Sequence, residues 1–353
     1  MKRIPIALDA MGGDFGCEPL VKGALEALDR EPNLEVHLAG VPKDLESALS
    51  KFEPGWRNRA IKIVVSSEAV GMGEGTFAIA KRRKDSSIAK CLELLKAGEV
   101  AGVMSAGSTT ASVYWALEIL GTYPDESLKP GLPIPWPNSR GATYLMDAGA
   151  TPDADARQLA HFAVLGSLYA KAMLGRESVR VGLLSIGEER TKGNSKIKEA
   201  YRLIEKLIPN DFAGMVEGKD LPLGRVDVVI CDAFVGNIAL KLGEGFIEEA
   251  GRMLKKNLNW LGKLGGLLML PSLKKLKKKL SWEAIGGAPL LGARGNLFIG
   301  HGRSSPAAIA SGLVRCGQFA AIEGTAKIQE EYLRHYAALI ANPGGVAAAG
   351  KLS

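Results

Sequence analysis

The sequence predicts an α/β protein whose mostly parallel β-sheet is sandwiched between helices. Short apolar runs alternate with helical patterns along almost the whole chain, which is typical of successive right-handed βαβ units. Several runs are apolar nearly without interruption, such as residues 226–230, as expected for strands buried on both faces. The 353 residues suffice for one large domain or two.

The order of the elements follows from this alternation. The predicted strands are 3–9, 34–39, 61–65, 100–105, 142–147, 179–185, 226–231 and 296–300. The predicted helices lie near 18–29, 85–97, 110–120, 155–174, 195–208 and 236–256. Five prolines between Gly121 and Asn138 predict irregular structure there. We expect residues 1–335 to form a single domain with a protruding amphipathic basic segment at 250–280, followed by a flexible tail at 336–353.

The charge of the chain is concentrated in one place. The formal net charge is +7, but nine cationic residues and no carboxylate fall within residues 250–280. The rest of the chain is therefore near neutral. This pattern argues against a general nucleic-acid-binding surface and favours a local contact with an anionic partner.

Several chemistries lack their signatures in this sequence. The four cysteines are widely separated, which favours buried thiols of a reducing cytoplasm over disulfides or a zinc site. The G-x-S-x-G, H-E-x-x-H and G-x-x-x-x-G-K-[ST] motifs are absent, so serine hydrolase, zincin and P-loop mechanisms are not indicated. No apolar run is long enough to span a membrane. We therefore expect a cytoplasmic protein that uses neither a metal nor a cofactor.

A glycine-rich loop follows the first predicted strand, where an α/β enzyme commonly holds an anion. It contains Asp9, Gly12, Gly13 and Asp14. Its spacing does not match G-x-G-x-x-G, and its two carboxylates would repel a phosphate. We expect the glycines to approach a ligand, and the carboxylates to orient the loop or its hydrogen-bond donors.

Polar residues and glycines also follow four later strands. The candidate site residues there are Ser105, Gly107, Ser108, Thr109, Lys192, Gly193, Asn194, Asn237, His301 and Ser304. Each has a simpler explanation as well, because Ser108 or Thr109 could cap the following helix and Asn237 could cap another. Lys192 could belong to a solvated turn. His301 lies between two glycines and precedes an arginine and two serines, so it is a good candidate for binding an anion.

Taken in order, these motifs resemble one family, the acyl-ACP:phosphate acyltransferases of bacterial phospholipid synthesis (the PlsX family). The matching blocks are 6–16, 83–87, 105–107, 147–150, 186–189 with 192–194, 216–220, 231–237, 286–292 and 301–302. The sequence departs from the family pattern in three places: Ser108 and Thr110 stand where Asn and Gly are usual, Cys17 stands where Pro is usual, and residues 70–75 are atypical. Nine blocks in the right order make the resemblance far more specific than any single block.

The resemblance implies a fold like that of phosphotransacetylases and the isocitrate and isopropylmalate dehydrogenases. It implies a homodimer that transfers an acyl group from the acyl carrier protein (ACP) to inorganic phosphate. It also implies that Lys192 and Asn237 are catalytic. Because phosphate is itself a nucleophile, we expect Lys192 to offset its charge, assisted by hydroxyl groups and by the loop 301–304, while Asn237 binds the developing oxyanion.

The basic segment has three possible roles. Residues 257–280 alternate apolar and cationic side chains, which suits an anionic membrane surface, an acidic carrier protein, or a helix pair at a dimer interface. The resemblance favours peripheral membrane association. Three other functions remain open: a phosphotransacetylase that uses acyl-CoA, a dehydrogenase of the same superfold, and a non-catalytic scaffold.

Overall fold

Two β-sheets form the framework of the computed structural model, which describes residues 3–68, 77–259, 269–272 and 286–341. The strands are β1 Ile4–Asp9, β2 Leu34–Gly40, β3 Ile61–Val65, β4 Gly102–Ser105, β5 Ile134–Asn138, β6 Gly141–Met146, β7 Val181–Leu184, β8 Phe212–Val216, β9 Val228–Ile230, β10 Ala288–Pro289 and β11 Leu297–Ile299. The helices are α1 Cys17–Arg30, α2 Pro42–Phe52, α3 Phe77–Arg82, α4 Ser87–Lys96, α5 Thr109–Ile119, α6 Ala156–Leu174, α7 Ser195–Leu207, α8 Asp220–Leu223, α9 Ala233–Asn257, α10 Pro306–Ala321 and α11 Gly324–Ala341.

The first sheet has six strands in the order β10-β11-β4-β1-β2-β3. All of its pairings are parallel except that between β10 and β11. The strand order reverses at β1, which lies between β2 and β4. The loops after β1 and β4 therefore flank a topological switch point, where open α/β sheets commonly bind ligands.

The second sheet has five strands in the order β5-β6-β9-β7-β8. Its first strand, Ile134–Asn138, lies in the segment for which irregular structure was expected. That part of the prediction is wrong for a physical reason. The strand is at the edge of the sheet and pairs only with β6, so Pro135 and Pro137 interrupt no ladder on its other side.

One apolar cluster contains side chains from both sheets. Leu8 and Met104 from the first sheet and Met146 from the second belong to it, together with Phe162 of α6. Helix α1 packs on α10, and a methyl group on Gly23 would lie 2.5 Å from Cβ of Ile309. The two sheets therefore share buried apolar contacts and hold their loops in fixed positions.

All eight predicted strands and all six predicted helices are present, most of them with ends that differ by one to three residues. Strands β5, β8 and β10 and helices α2, α3, α8, α10 and α11 were not predicted. Helix α11 continues to Ala341, beyond the expected domain boundary at residue 335. The rest of the predicted tail, residues 342–353, lies outside the described residues. The same holds for most of the basic segment, of which only 250–259 and 269–272 are described.

A neutral histidine is buried beside α11. The Nδ1 atom of His161 shares a 2.6 Å hydrogen bond with the hydroxyl group of Tyr332, and its Nε2 atom has no partner among the described residues. Burial lowers the pKa of His161 to about 3. In the unfolded chain a histidine has a pKa of about 6.5. Between these two values the unfolded state binds more protons than the native state, so acid favours unfolding.

We therefore expect the free energy of unfolding to fall as the pH drops from about 6.5 towards 3. His161 should contribute a slope of up to about 1.4 kcal/mol per pH unit. His161→Gln should flatten this dependence more than the same change at the half-buried His335. Urea unfolding followed by circular dichroism between pH 7 and pH 4 measures the slopes. Equal slopes for the wild type and His161→Gln would rule out this contribution.

Candidate functional site

The loop after β1 is held by a buried carboxylate. Asp9 accepts hydrogen bonds from the hydroxyl groups of Ser87, at 2.5 Å, and Ser105, at 2.7 Å. Burial raises the pKa of Asp9, and the two hydroxyl groups act in the opposite direction. Asp9 therefore connects the end of β1 to the start of α4 and the end of β4.

Two glycines let the loops after β1 and β4 touch. A methyl group on Gly12 would lie 2.5 Å from Oδ2 of Asp9 and 2.8 Å from Cα of Gly107. A methyl group on Gly107 would lie 3.0 Å from Cα of Gly12. No larger residue fits at either position without moving backbone, so the two glycines fix the separation of these loops.

Most of the hydroxyl groups that follow β4 already form hydrogen bonds within the protein. Ser105 is buried, donates to Asp9, and accepts from the Gly107 amide and the Ser112 hydroxyl group. Ser108 is the N-cap of α5 and accepts from the amide of Ala111 at 3.4 Å. Ser108 therefore caps α5, as the simpler explanation given for it in the sequence analysis expects. Thr109 is half-buried in the first turn of α5.

The loop after β11 completes this side of the site. The amide of Asp14 donates to the carbonyl oxygen of Gly302 at 3.0 Å, and the Arg303 guanidinium lies 3.8 Å from the Asp14 carboxylate. Gly13, Phe15, Gly16, Pro19, Leu20, Ala106, Gly302 and Ser304 line a shallow crevice. Helix α1 starts in this crevice after Gly16, which has a φ of 74° and provides no side-chain cap. Free amide groups at such a helix start can donate to an anion.

In the second sheet, Asp147 organises the loop after β6. Its carboxylate accepts hydrogen bonds from four backbone amides, those of Leu132, Gly149, Ala150 and Thr151. Burial raises the pKa of Asp147, and these amides oppose that shift. The Asp147 carbonyl oxygen in turn faces the first turn of α9, which follows β9.

Helix α9 approaches this loop through a glycine. A methyl group on Gly236 would lie 2.0 Å from the carbonyl oxygen of Asp147. The N-cap of α9 is Asp232, which accepts from the amide of Val235 at 2.9 Å. The suggestion that Asn237 caps this helix is therefore wrong. Asn237 is exposed, and its side-chain amide forms no hydrogen bond with the described residues.

We expect Gly236→Ala to destabilise the fold. The added methyl group forces α9 away from Asp147, which should lower the free energy of unfolding by about 1–3 kcal/mol and displace Asn237. Gly251→Ala on the same helix is the matched control, because a methyl group there meets nothing within 4 Å. Urea unfolding of both variants measures the effect. Equal stability of the two variants would contradict the close approach at Gly236.

The loop after β7 presents a lysine next to the start of α9. Asn194 is the N-cap of α7, and Gly193 has a φ of 81°. Lys192 is exposed, and its ammonium forms no ion pair with any residue that the structure describes. Lys196, in the first turn of α7, pairs with Asp232 at 2.7 Å. This ion pair connects the starts of α7 and α9 and places the loop of Lys192 beside α9.

One contact joins the two sets of loops. The ammonium of Lys241, on α9, lies 3.2 Å from Nε2 of His301, which follows β11. Partial burial and this ammonium lower the pKa of His301. Sequence reasoning missed Lys241. The signal that could have found it is its position four residues after Asn237, which places both side chains on one face of a helix.

The two sets of loops thus approach each other at the Lys241–His301 contact, and the space that they border is called the cleft below. The first sheet contributes glycines, free amides and His301, and the second contributes Lys192, Asn237 and Lys241. Within the described residues, no group of histidine, cysteine or acidic side chains has the arrangement of a metal site. No helix in the same ranges has both the length and the apolarity needed to cross a membrane. The chemistry available is anion binding by cations, amides and hydroxyl groups.

Relatives of known name match nearly the whole chain. The phosphate acyltransferase of Campylobacter concisus is 40% identical over 337 residues, which cover 95% of this chain and 99% of that protein. The phosphate acyltransferase of Heliobacterium modesticaldum is 41% identical over 310 residues, covering 87% and 91% respectively.

Solved structures share the fold. A phosphotransacetylase from Streptococcus pyogenes matches with a TM-score of 0.60 and 17% identity, covering 91% of this chain and 94% of that chain. The EutD phosphotransacetylase from Staphylococcus aureus matches with a TM-score of 0.58 and 17% identity, covering 90% and 94%. These similarities confirm the predicted fold class. The model of the family described as fatty acid synthesis protein matches residues 4–325, so the resemblance seen in the sequence is confirmed and the chain belongs to this family.

Proposed function

We propose that this protein transfers a fatty acyl group from acyl-ACP to inorganic phosphate, giving acyl phosphate and free ACP for phospholipid synthesis. The observation that carries the proposal is the contact between His301, in a loop beside the start of α1, and Lys241, on the helix of Asn237, in a chain about 40% identical to proteins named phosphate acyltransferase. Cations, amides and glycines in these loops suit an anionic nucleophile.

The chemistry requires no covalent intermediate on the enzyme. A phosphate oxygen attacks the thioester carbonyl carbon, the carbon–sulfur bond breaks, and the sulfur leaves as a thiolate that takes a proton from solvent. Lys192 offsets the phosphate charge as a mobile point cation. The Asn237 amide donates to the oxygen that becomes negative when the carbonyl is attacked. Thr109, Ser304 and the free amides at the start of α1 supply further donors to phosphate.

The proposed partners are a second copy of the chain, the acidic carrier protein and an anionic membrane surface. Helix α9 exposes an apolar stripe at helical spacing, formed by Phe234, Ile238, Leu242, Phe246 and Met253. This stripe supports a homodimer. The basic segment supports contact with ACP and with the membrane through residues 257–280, most of which lie outside the described residues. A cytoplasmic protein that binds the membrane peripherally would have both contacts.

An alternative donor is acyl-CoA, because the solved structures with this fold include phosphotransacetylases. The purified protein should be incubated with phosphate and either palmitoyl-ACP or palmitoyl-CoA, and acyl phosphate measured as its hydroxamate. We expect a kcat/KM at least about tenfold higher with the ACP thioester. A preference for the CoA thioester would instead support the phosphotransacetylase alternative.

A further inference from the structure

Lys241 and His301 meet across the cleft from elements that pack with different sheets. The Lys241 ammonium lies 3.2 Å from Nε2 of His301 and 2.7 Å from Oε2 of Glu244. On its other side, Nδ1 of His301 lies 3.2 Å from the backbone amide of Arg303. Both ring nitrogens of His301 therefore face an N–H donor.

A neutral imidazole carries one proton and cannot accept at both nitrogens. If the proton is on Nε2, it points at the Lys241 ammonium. If the proton is on Nδ1, it points at the Arg303 amide. Partial burial and the adjacent ammonium lower the pKa of His301, which favours the neutral ring. Because the Arg303 amide donates to Nδ1, the neutral ring carries its proton on Nε2, and the Nε2–H group and the Lys241 ammonium converge with no acceptor between them.

The carboxylates around this pair are already occupied. Glu244 pairs with Lys241, and Asp14 lies 3.8 Å from the guanidinium of Arg303. Neither carboxylate has a hydrogen bond to the His301 ring among the described contacts. An oxygen of a bound anion would give the converging donors the acceptor that they lack.

The position of the pair fits the reaction. Lys241 follows Asn237 by four residues, so the two side chains are neighbours on one face of α9, with Cβ atoms about 5–6 Å apart. An anion held by Lys241 would lie next to the amide proposed to bind the thioester oxyanion. Attack requires the nucleophilic oxygen about 3–3.5 Å from the carbonyl carbon, and two neighbouring side chains on one helix face can hold the two groups that close together.

We propose that Lys241 and His301 together bind one oxygen of the incoming inorganic phosphate, from opposite sides of the cleft, and thereby place the phosphate beside Asn237. The role in turnover depends on the proposed function, whereas the binding of phosphate does not. Lys241 is thus a second substrate-binding cation in addition to Lys192.

Steady-state kinetics of Lys241→Met test the role in turnover. We expect the KM for phosphate to rise about tenfold or more, as for the loss of a charge-assisted hydrogen bond. The KM for the acyl donor should stay within about twofold. Lys241→Arg should restore part of the phosphate affinity, and Lys43→Met, at an exposed position on α2, is the matched control. An unchanged KM for phosphate, or equal rises in both KM values, would overturn the proposal.

Isothermal titration calorimetry with inorganic phosphate alone tests binding without turnover. Lys241→Met and His301→Gln should each weaken phosphate binding about tenfold, and the double variant should be little weaker than either single variant, because one oxygen serves both residues. Fully additive losses, or wild-type affinity in both variants, would contradict a shared site. If the wild type binds phosphate in this way but forms no acyl phosphate, the anion site stands and the proposed function fails.

Discussion

Asn237→Ala should lower kcat about 10²–10³-fold and leave the stability of the protein unchanged. The rate loss is that typical of removing one preorganised donor to an oxyanion. The unchanged stability follows from the structure, since Asn237 is exposed and Asp232, not Asn237, caps α9. Single-turnover rates and thermal unfolding should be measured on the same preparations.

Asn257→Ala is the matched control for this variant. Asn257 is the last residue of α9, about 30 Å from Asn237 along the helix, and its side chain hydrogen-bonds to the carbonyl oxygen of Met253. It should keep near wild-type turnover. If Asn237→Ala lost activity only together with stability, the loss would indicate a structural role and contradict oxyanion binding.

Lys192→Ala should have an effect of similar size, lowering kcat/KM by about 10²-fold or more. Its ammonium forms no ion pair with the described residues, so its charge is available to a ligand and its loss should not weaken the fold. Lys192→Arg keeps the charge but replaces a compact ammonium with a planar group, and we expect it to recover only part of the activity.

Lys198→Ala, at an exposed position on α7, is the control for Lys192. It removes an equal charge six residues away and should leave the rate near that of the wild type. Equal losses in the two variants would mean that only the general positive charge of this region matters. A rate for Lys192→Ala within about threefold of wild type would remove Lys192 from the mechanism.

The sequence was sufficient to predict the strands whose following loops contain the candidate residues, because each loop follows an apolar run. Asp9, Ser105, Lys192, Asn237 and His301 were proposed as site residues in this way. Their individual hydrogen bonds could not be predicted. For example, the Ser105 hydroxyl group donates its hydrogen bond to Asp9. This bond depends on the pairing of β1 with β4, two strands that are separated by almost 100 residues in the sequence.

The cap of α9 and the partner of His301 show the same limitation. Asp232 and Asn237 are both good capping residues by type, and in the structure Asp232 is the one that caps the helix. Lys241 and His301 are 60 residues apart and belong to elements that pack with different sheets. Contacts of this kind follow from tertiary packing, so local sequence patterns contain no signal for them.

The most direct test of acyl transfer to phosphate is ³¹P NMR of the wild-type protein incubated with palmitoyl-ACP and inorganic phosphate, with free ACP measured in parallel. We predict that acyl phosphate and free ACP form in equal amounts, that both require phosphate, and that mass spectrometry finds no acylated enzyme. Release of ACP without phosphate, or an acylated enzyme that phosphate then discharges, would contradict direct attack by phosphate. The absence of acyl phosphate would contradict the proposed function itself.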